Sequence, residues 1–205
     1  TLNIRYINIV QLHPIMQTIS KEELIDRKHE FLDQIHKGHL FIYPTDTIYG
    51  IGCDASSDIA VSKIRQVKSR SQVPFSVIAP SIGWIHDNCE VPKQAEKWIN
   101  QLPGPYTIVL RLKKNHSISK EVNPDIDTIG VRLPNHWISG LVRELNKPII
   151  TTSVNKSGDP YMTSIDNLDP EFHSKVGFII YEGEKPGAPS QLVDIANEQM
   201  VAVQR

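Results

Sequence analysis

Two spacings of apolar residues run through this chain, short runs at strand period and longer stretches at helical period, and they alternate. Residues 6–10 (Tyr6-Ile7-Asn8-Ile9-Val10) read as a strand. Ser20-Lys21-Glu22-Glu23 has the form of a capping box ahead of Leu24, Ile25, Phe31, Leu32 and Ile35, which predicts one amphipathic helix closed by Gly38. Residues 39–43 form the next strand and lead into Pro44-Thr45-Asp46-Thr47-Ile48-Tyr49-Gly50-Ile51-Gly52, a proline-braked loop dense in hydroxyls and ending on two glycines. A tight turn accounts for such a loop. So does a ligand site, because glycines permit close approach and hydroxyls supply donors and acceptors.

The alternation continues to the end of the chain. Ser57-Asp58 caps a predicted helix that carries Ile59, Ala60, Ile64 and Val67 inward. Residues 75–79 read as a strand, and Pro92 opens a helix with Ala95, Trp98, Ile99 and Leu102 at helical spacing. Pro103-Gly104-Pro105 stops it, and strand 106–112, the polar connection 115–127, strand 128–134, helix 136–145 and strand 148–152 follow. Ser153-Val154-Asn155-Lys156-Ser157-Gly158-Asp159-Pro160 repeats the design of a strand running into hydroxyls. A helix over 165–174, strand 178–181, loop 183–189 and a closing pair, 191–196 and 200–205, complete the chain. Helices mixed with strands throughout, and a closing pair short enough for a hairpin, predict an α/β fold with a mixed sheet.

Composition narrows the function classes. With 205 residues, 40% of them hydrophobic, the chain suits a single domain, taken as 1–205. A net charge of −1 provides no bulk positive field toward nucleic acid or anionic membrane. Cys53 and Cys89 make no CxxC pair or disulfide framework, and no apolar run is long enough for a signal peptide or membrane span, so the expectation is a soluble, cytoplasmic protein.

Several catalytic patterns fail. There is no P-loop, and Gly50 and Gly52 lack the third glycine and following helix of a dinucleotide fingerprint. His36 and His39 straddle the helix-ending Gly38 with no Cys or acidic partner at ligand spacing, so no metal site is predicted. Ser117-x-x-Lys120, Ser153-x-x-Lys156 and Lys156-Ser157-Gly158 imitate the penicillin-recognising motifs, but the last two overlap where that mechanism needs separate elements. What remains is a set of hydroxyls and amides (Thr45, Thr47, Ser153, Asn155, Ser190) with isolated cations (Lys68, Arg70, Arg132, Arg205). No paired nucleophile and base stand out. Such a set suits binding and orienting anionic reactants, as phosphoryl or nucleotidyl transfer requires. Arg132, alone on an apolar strand, needs an anion, either a structural carboxylate or a ligand's carboxylate or phosphate.

The motifs Tyr43-Pro44-Thr45-Asp46-Thr47-Ile48-Tyr49-Gly50-Ile51-Gly52, Lys68-Ser69-Arg70, Pro103-Gly104-Pro105-Tyr106-Thr107, Val131-Arg132-Leu133-Pro134, Thr152-Ser153-Val154-Asn155-Lys156-Ser157-Gly158 and Ser190-Gln191-Leu192-Val193-Asp194 occur in an order that resembles the YrdC-like L-threonylcarbamoyladenylate synthases. The resemblance implies a twisted open α/β sheet with a concave, positively charged face. It also implies formation of threonylcarbamoyl-AMP and pyrophosphate from L-threonine, bicarbonate and ATP, with Mg²⁺ carried by the nucleotide and no protein-bound metal. The product would pass to a threonylcarbamoyl transferase complex that modifies tRNA, with at most weak tRNA contact by this chain. Carried over by motif, Thr45, Arg132, Thr151 and Ser190 would bind L-threonine, and Lys68, Arg70, Thr128, Ser153, Asn155 and Arg205 would bind ATP; Tyr49 would pack the pocket wall. This chain has Ile78 where many members have a histidine, Val154 where alanine is usual, and a short 70–74 loop. A non-catalytic module of the same fold that grips double-stranded RNA or tRNA is the alternative, and the near-zero charge weighs against it.

Overall fold

The computed structural model describes residues 16–69, 73–197 and the backbone of 202–203. The strand expected over 6–10 lies outside the described residues, as do Arg70 and Arg205. In chain order the elements are β1 (Gln17–Ile19), α1 (Lys21–Asp26), α2 (Lys28–His36), β2 (Phe41–Tyr43), β3 (Gly50–Gly52), α3 (Asp58–Val67), β4 (Ser76–Ile78), α4 (Ile82–Asn88), β5 (Cys89–Glu90), α5 (Lys93–Ile99), β6 (Tyr106–Leu112), β7 (Thr128–Arg132), α6 (Ile138–Leu145), β8 (Ile149–Ser153), β9 (Phe178–Ile180), β10 (Gln191–Asp194) and β11 (Ala202–Val203). Two 3-10 turns, Ile165–Asn167 and Pro170–Ser174, precede β9.

One sheet runs through these elements in the order β1-β9-β2-β3-β8-β4-β7-β6-β10-β11, with β5 added beside β6. It is mixed, as expected. β1/β9, β2/β9, β4/β7 and β6/β10 are parallel, whereas β2/β3, β3/β8, β4/β8, β6/β7 and β10/β11 are antiparallel. The closing pair is the antiparallel hairpin that its length suggested. Alternation along the strands sends Ile42, Ile51, Val77, Val131, Ile150 and Ile179 to one face, where α3, α4 and α5 cover them with Ala60, Ile64, Ile85 and Ile99. On the opposite face Phe41, Tyr43, Ile78, Ile149 and Phe178 meet Phe31 and Ile35 of α2 and Ile138, Leu141 and Leu145 of α6. These few helices leave part of that second face uncovered, and the cleft described below occupies it.

Local chemistry explains most boundaries. Ser20 and Glu23 form the expected capping box, Ser20 Oγ accepting from Glu23 N at 3.1 Å and Glu23 Oε2 from Ser20 N at 2.7 Å. The single helix expected after it divides at Arg27, so that Leu24, Phe31 and Ile35 are buried while Ile25 is 56% exposed. Ile59, expected inside, is 70% exposed, because Ala60, Ile64 and Val67 form the buried stripe of α3 and Ile59 shares its side with Lys63 and Gln66. The helix expected over 165–174 is interrupted at Pro170, which holds Asp169 in extended backbone. α4 was not anticipated: Gly83 weakens the helical reading of a seven-residue stretch that Ser81 caps by accepting from Trp84 N at 3.0 Å. α6 closes on Asn146 in the left-handed region at φ 53°.

The Gly50-Ile51-Gly52 end of the hydroxyl-rich loop is itself a strand, β3. Its glycines serve packing within the sheet. A Cβ at Gly50 would lie 3.1 Å from the Tyr43 ring, and one at Gly52 would overlap the Ile150 carbonyl. Tyr43, fully buried, donates its hydroxyl to that same carbonyl at 2.9 Å. Among the described residues no helix is long and apolar enough to cross a membrane.

Candidate functional site

A cavity of about 420 Å³ opens on the sheet face that α2 and α6 leave uncovered. Its floor comes from seven positions on six adjacent strands: Gly50 on β3, Thr151 and Ser153 on β8, Ser76 on β4, Arg132 on β7, Thr107 on β6 and Leu192 on β10. The ladders put them on one side. Gly50 pairs with Ser153, Ser76 with both Thr151 and Gly130, and Thr107 with Leu192, and directly paired residues project from the same face. Gly130 keeps this floor low, since a Cβ there would overlap Ser76 Oγ and stand 2.9 Å from Thr107 Cγ2. The result is a surface paved with short hydroxyls.

Two loops and a tyrosine wall the cavity, through Thr45, Ile48 and Tyr49 on one side and Tyr161 with Ala188, Pro189 and Ser190 on the other. Thr45 is buried and shapes its own loop: its Oγ1 donates to Ile48 O at 2.7 Å and accepts from Thr47 N at 3.1 Å. Tyr49 joins the walls by donating to Gly183 O at 2.6 Å and accepting from Glu182 N at 3.1 Å; burial raises its pKa to about 12, so the phenol stays protonated. It packs the wall, as the sequence suggested, with its ring stacked 5.8 Å from Tyr181. Gly187 lies so close to Thr47 that a Cβ would overlap the Thr47 carbonyl, and Tyr161 donates to Gly187 O at 3.0 Å. The 182–190 strap is therefore fastened at three points.

Arg132 carries the cavity's charge. Its Nη2 donates to Asp46 Oδ1 at 3.0 Å and Thr47 Oγ1 at 3.1 Å, and Asp46 Oδ2 accepts from Asn135 N at 2.9 Å. The anion that the sequence demanded is thus supplied in part by Asp46. Yet Arg132 is 6% exposed and its Nε–H is buried with no hydrogen-bond partner. A buried donor left unmatched costs on the order of 1–3 kcal/mol, more when the group is charged. Burial lowers the pKa of Arg132 and Asp46 opposes that, and a guanidinium remains charged throughout. Arg132 is therefore a buried cation whose donors Asp46 and Thr47 only partly satisfy.

Five expected site residues line this cavity together, Thr45, Arg132, Thr151, Ser153 and Ser190. Lys68, expected at the triphosphate, is fully buried and donates to Ser153 O and Asn155 O, both at 2.5 Å, and to Asn155 Oδ1 at 2.9 Å. Asn155 Oδ1 also accepts from Ser153 Oγ at 2.6 Å. Lys68 and Asn155 thus hold Ser153 from behind rather than line the cavity. Thr128 begins β7 at the end away from Arg132, its carbonyl accepting from Asn123 at 2.7 Å, and is not among the lining residues. Ile78 points into the core under α6, fully buried, so its replacement of a histidine adds no wall to the cavity. Ser76, Thr107 and Tyr161 were missed. Strand alternation carried the signal for the first two, because Ser76 and Thr107 are the polar members of otherwise apolar runs.

Among the described residues no carboxylate lines the cavity, and no cluster of His, Cys, Asp and Glu is arranged to hold a metal ion.

A hydroxyl-paved cleft lined by one buried cation, set on the open face of a mixed sheet, defines an α/β protein whose open face is suited to small anionic molecules. Residues 33–205 match the Sua5/YciO/YrdC family, described as telomere recombination, and the chain belongs to that family. It is 34% identical over 202 residues to a putative threonylcarbamoyl-AMP synthase of Methanocaldococcus jannaschii, covering 95% of this chain and 91% of the relative. It is 33% identical over 166 residues to the threonylcarbamoyl-AMP synthase of Pyrococcus abyssi, covering 78% of this chain and 48% of that protein. The structure of P. abyssi Sua5 complexed with L-threonine superposes with a TM-score of 0.76 at 31% identity, over 88% of this chain and 54% of that one. The chain thus spans nearly all of the first relative and about half of the second.

Proposed function

We propose that this protein is a threonylcarbamoyl-AMP synthase that forms the mixed anhydride and pyrophosphate from L-threonine, bicarbonate and ATP. The observation that carries this reading is the Arg132 guanidinium, which lines a hydroxyl-paved cleft and is only partly matched by Asp46 and Thr47, since a substrate carboxylate is the group that completes such a donor set. The likeness to P. abyssi Sua5 with bound L-threonine supports it.

On this reading Arg132 takes the threonine carboxylate, with Thr45, Thr151 and Ser190 around the rest of the amino acid. Ser153, braced by Lys68 and Asn155, faces the nucleotide, and Arg70, Thr128 and Arg205 are assigned to the same end. Mg²⁺ enters with the triphosphate, whose oxygens hold it. The amino group combines with bicarbonate to give a carbamate and water, the carbamate oxygen attacks the α-phosphorus in line, and pyrophosphate departs. The residues of this chain hold the reactants and stabilise moving charge; none needs to form a covalent intermediate. The product would serve a transferase acting on tRNA, and the chemistry belongs to the cytoplasm.

The test incubates the protein with ATP, threonine and labelled bicarbonate and looks for threonylcarbamoyl-AMP by mass spectrometry. Arg132→Ala should reduce threonine-dependent turnover at least a hundredfold while ATP binding stays within a few fold. Wild-type protein that makes no product under conditions where a relative does would refute the activity; equal loss of threonine and ATP binding in the variant would refute the role of Arg132.

A further inference from the structure

We infer that Thr107 is a specificity-determining residue whose hydroxyl reads the β-hydroxyl of the amino-acid substrate. The inference rests on the threonine reading above and deepens it.

Register places Thr107 where that contact is made. β6 and β7 pair Ile108 with Val131 and Val109 with Gly130, so the next pair along sets Thr107 directly beside Arg132. On its other side Thr107 pairs with Leu192 of β10. Arg132, Thr107 and Leu192 thus form one cross-strand row on the cavity floor, with neighbouring Cβ atoms about 5 Å apart. A carboxylate held by Arg132 puts the Cα substituent of a bound amino acid over the next member of that row, Thr107.

The polarity of this position is matched to a hydroxyl. Thr107 is 4% exposed, and its methyl carbon lies against the position of Gly130, 2.9 Å from where a Cβ would stand. Its Oγ1 is 2.7 Å from Ser190 Oγ. The two hydroxyls bring two protons to a single mutual bond, so one proton and several lone pairs are unused at the cavity wall. A ligand hydroxyl can join this pair as donor and acceptor at once, whereas a methyl group in its place leaves the pair unmatched. Sites built to hydrogen-bond a substrate hydroxyl discriminate far more strongly than apolar pockets do against an added or missing methyl. Leu192, Ala188 and Pro189 are the apolar neighbours for the other branch of the side chain, the methyl of threonine.

The experiment compares threonine with valine, which replaces the hydroxyl by a methyl at nearly equal volume. It reads kcat/KM for acyl-adenylate formation together with calorimetric Kd values for each amino acid, using wild-type protein, Thr107→Val and Thr107→Ser. Wild-type protein should prefer threonine by roughly a hundredfold. Thr107→Val should lose about tenfold or more on threonine, chiefly in KM, while valine is unchanged or improved, and Thr107→Ser should restore the preference for threonine. A Thr107→Val protein that melts like wild type and keeps the full preference overturns the inference and leaves the activity standing. Wild-type protein that yields no product from threonine defeats the underlying reading and this inference with it. Should the valine variant fail to fold, Thr107→Ala removes the same hydroxyl without adding bulk and is read by the same criteria.

Discussion

Asp46→Asn should destabilise the protein by about 2–3 kcal/mol while leaving its shape intact. The side chains of Asp46 and Arg132 are 10% and 7% exposed, so their interaction is weakly screened. One carboxylate oxygen accepts from Arg132 Nη2 at 3.0 Å and the other from Asn135 N at 2.9 Å. An asparagine has a single acceptor oxygen. Whichever way it turns, its NH₂ opposes either the guanidinium or the Asn135 N–H, and the buried cation loses its counter-charge. Removing one partner of a buried pair costs roughly 3–5 kcal/mol, and retention of one acceptor and an opening to the cavity bring this toward the lower figure. For a chain of this length each kcal/mol moves the melting temperature by about 2–4 °C, so the shift is about 5–10 °C. The assay is thermal unfolding followed by circular dichroism, with urea unfolding as the second probe. Thr47→Val supplies the neutral comparison, because it removes a hydroxyl 3.1 Å from the same Nη2 and no charge; about 1 kcal/mol is expected. Asp46→Asn melting within a degree of wild type, or no lower than Thr47→Val, would refute the argument that charge pairing secures Arg132.

Two further outcomes follow from groups around the cleft. Lys68→Met strips three acceptors on Ser153 and Asn155 of their common donor and should cost about 3 kcal/mol. Hydrogen exchange over 153–159 should quicken in that variant, and unchanged protection there would show that Lys68 does not brace the loop. At Glu182, burial works against ionisation, but bonds from Lys185, Trp137 and His136 outweigh it and hold the pKa below the ordinary value of 4.5. The unfolded chain therefore takes up this proton first as pH falls, so the stabilisation is present above pH 4.5 and is lost below it as the folded carboxyl titrates. Urea midpoints measured downward from pH 5 should fall less steeply for Glu182→Gln than for wild type, and parallel acid limbs would rule out a contribution from the Glu182 carboxylate.

Much of the architecture could be read before any coordinates, because alternation and capping are local properties. The capping box at Ser20, the strand carrying Arg132 and the terminal hairpin all follow from neighbours within a few residues. Direction along a helix was harder, as Ile25 and Ile59 show: both are apolar and adjacent to a buried residue, yet each sits one residue off the stripe that faces the sheet. The site was legible in its hydroxyls and in its arginine. It was not legible in its pairing, since Asp46 and Arg132 are distant in sequence and meet only because the loop after β2 folds over the end of β7. Lys68 illustrates the same limit. A lysine after a helix reads as a free cation, and only the fold brings two carbonyls and an amide oxygen around its ammonium group.

The Asp46–Arg132 pairing also bears on the proposed chemistry, because a carbamate forms only from an unprotonated amine. A carboxylate free to face the substrate would favour the ammonium form and raise its pKa. In this cleft the carboxylate nearest to Arg132 has both oxygens engaged, one by the guanidinium and one by Asn135 N, and the remaining lining is hydroxyl, backbone and apolar side chain. On the proposed reading Arg132, next to the amino acid, would push the amine's pKa down instead. The arrangement that secures the cation therefore also turns the Asp46 carboxylate away from the nucleophile. On the proposed reading a single side chain would do both, Arg132 holding the substrate carboxylate while its Nη2 occupies Asp46.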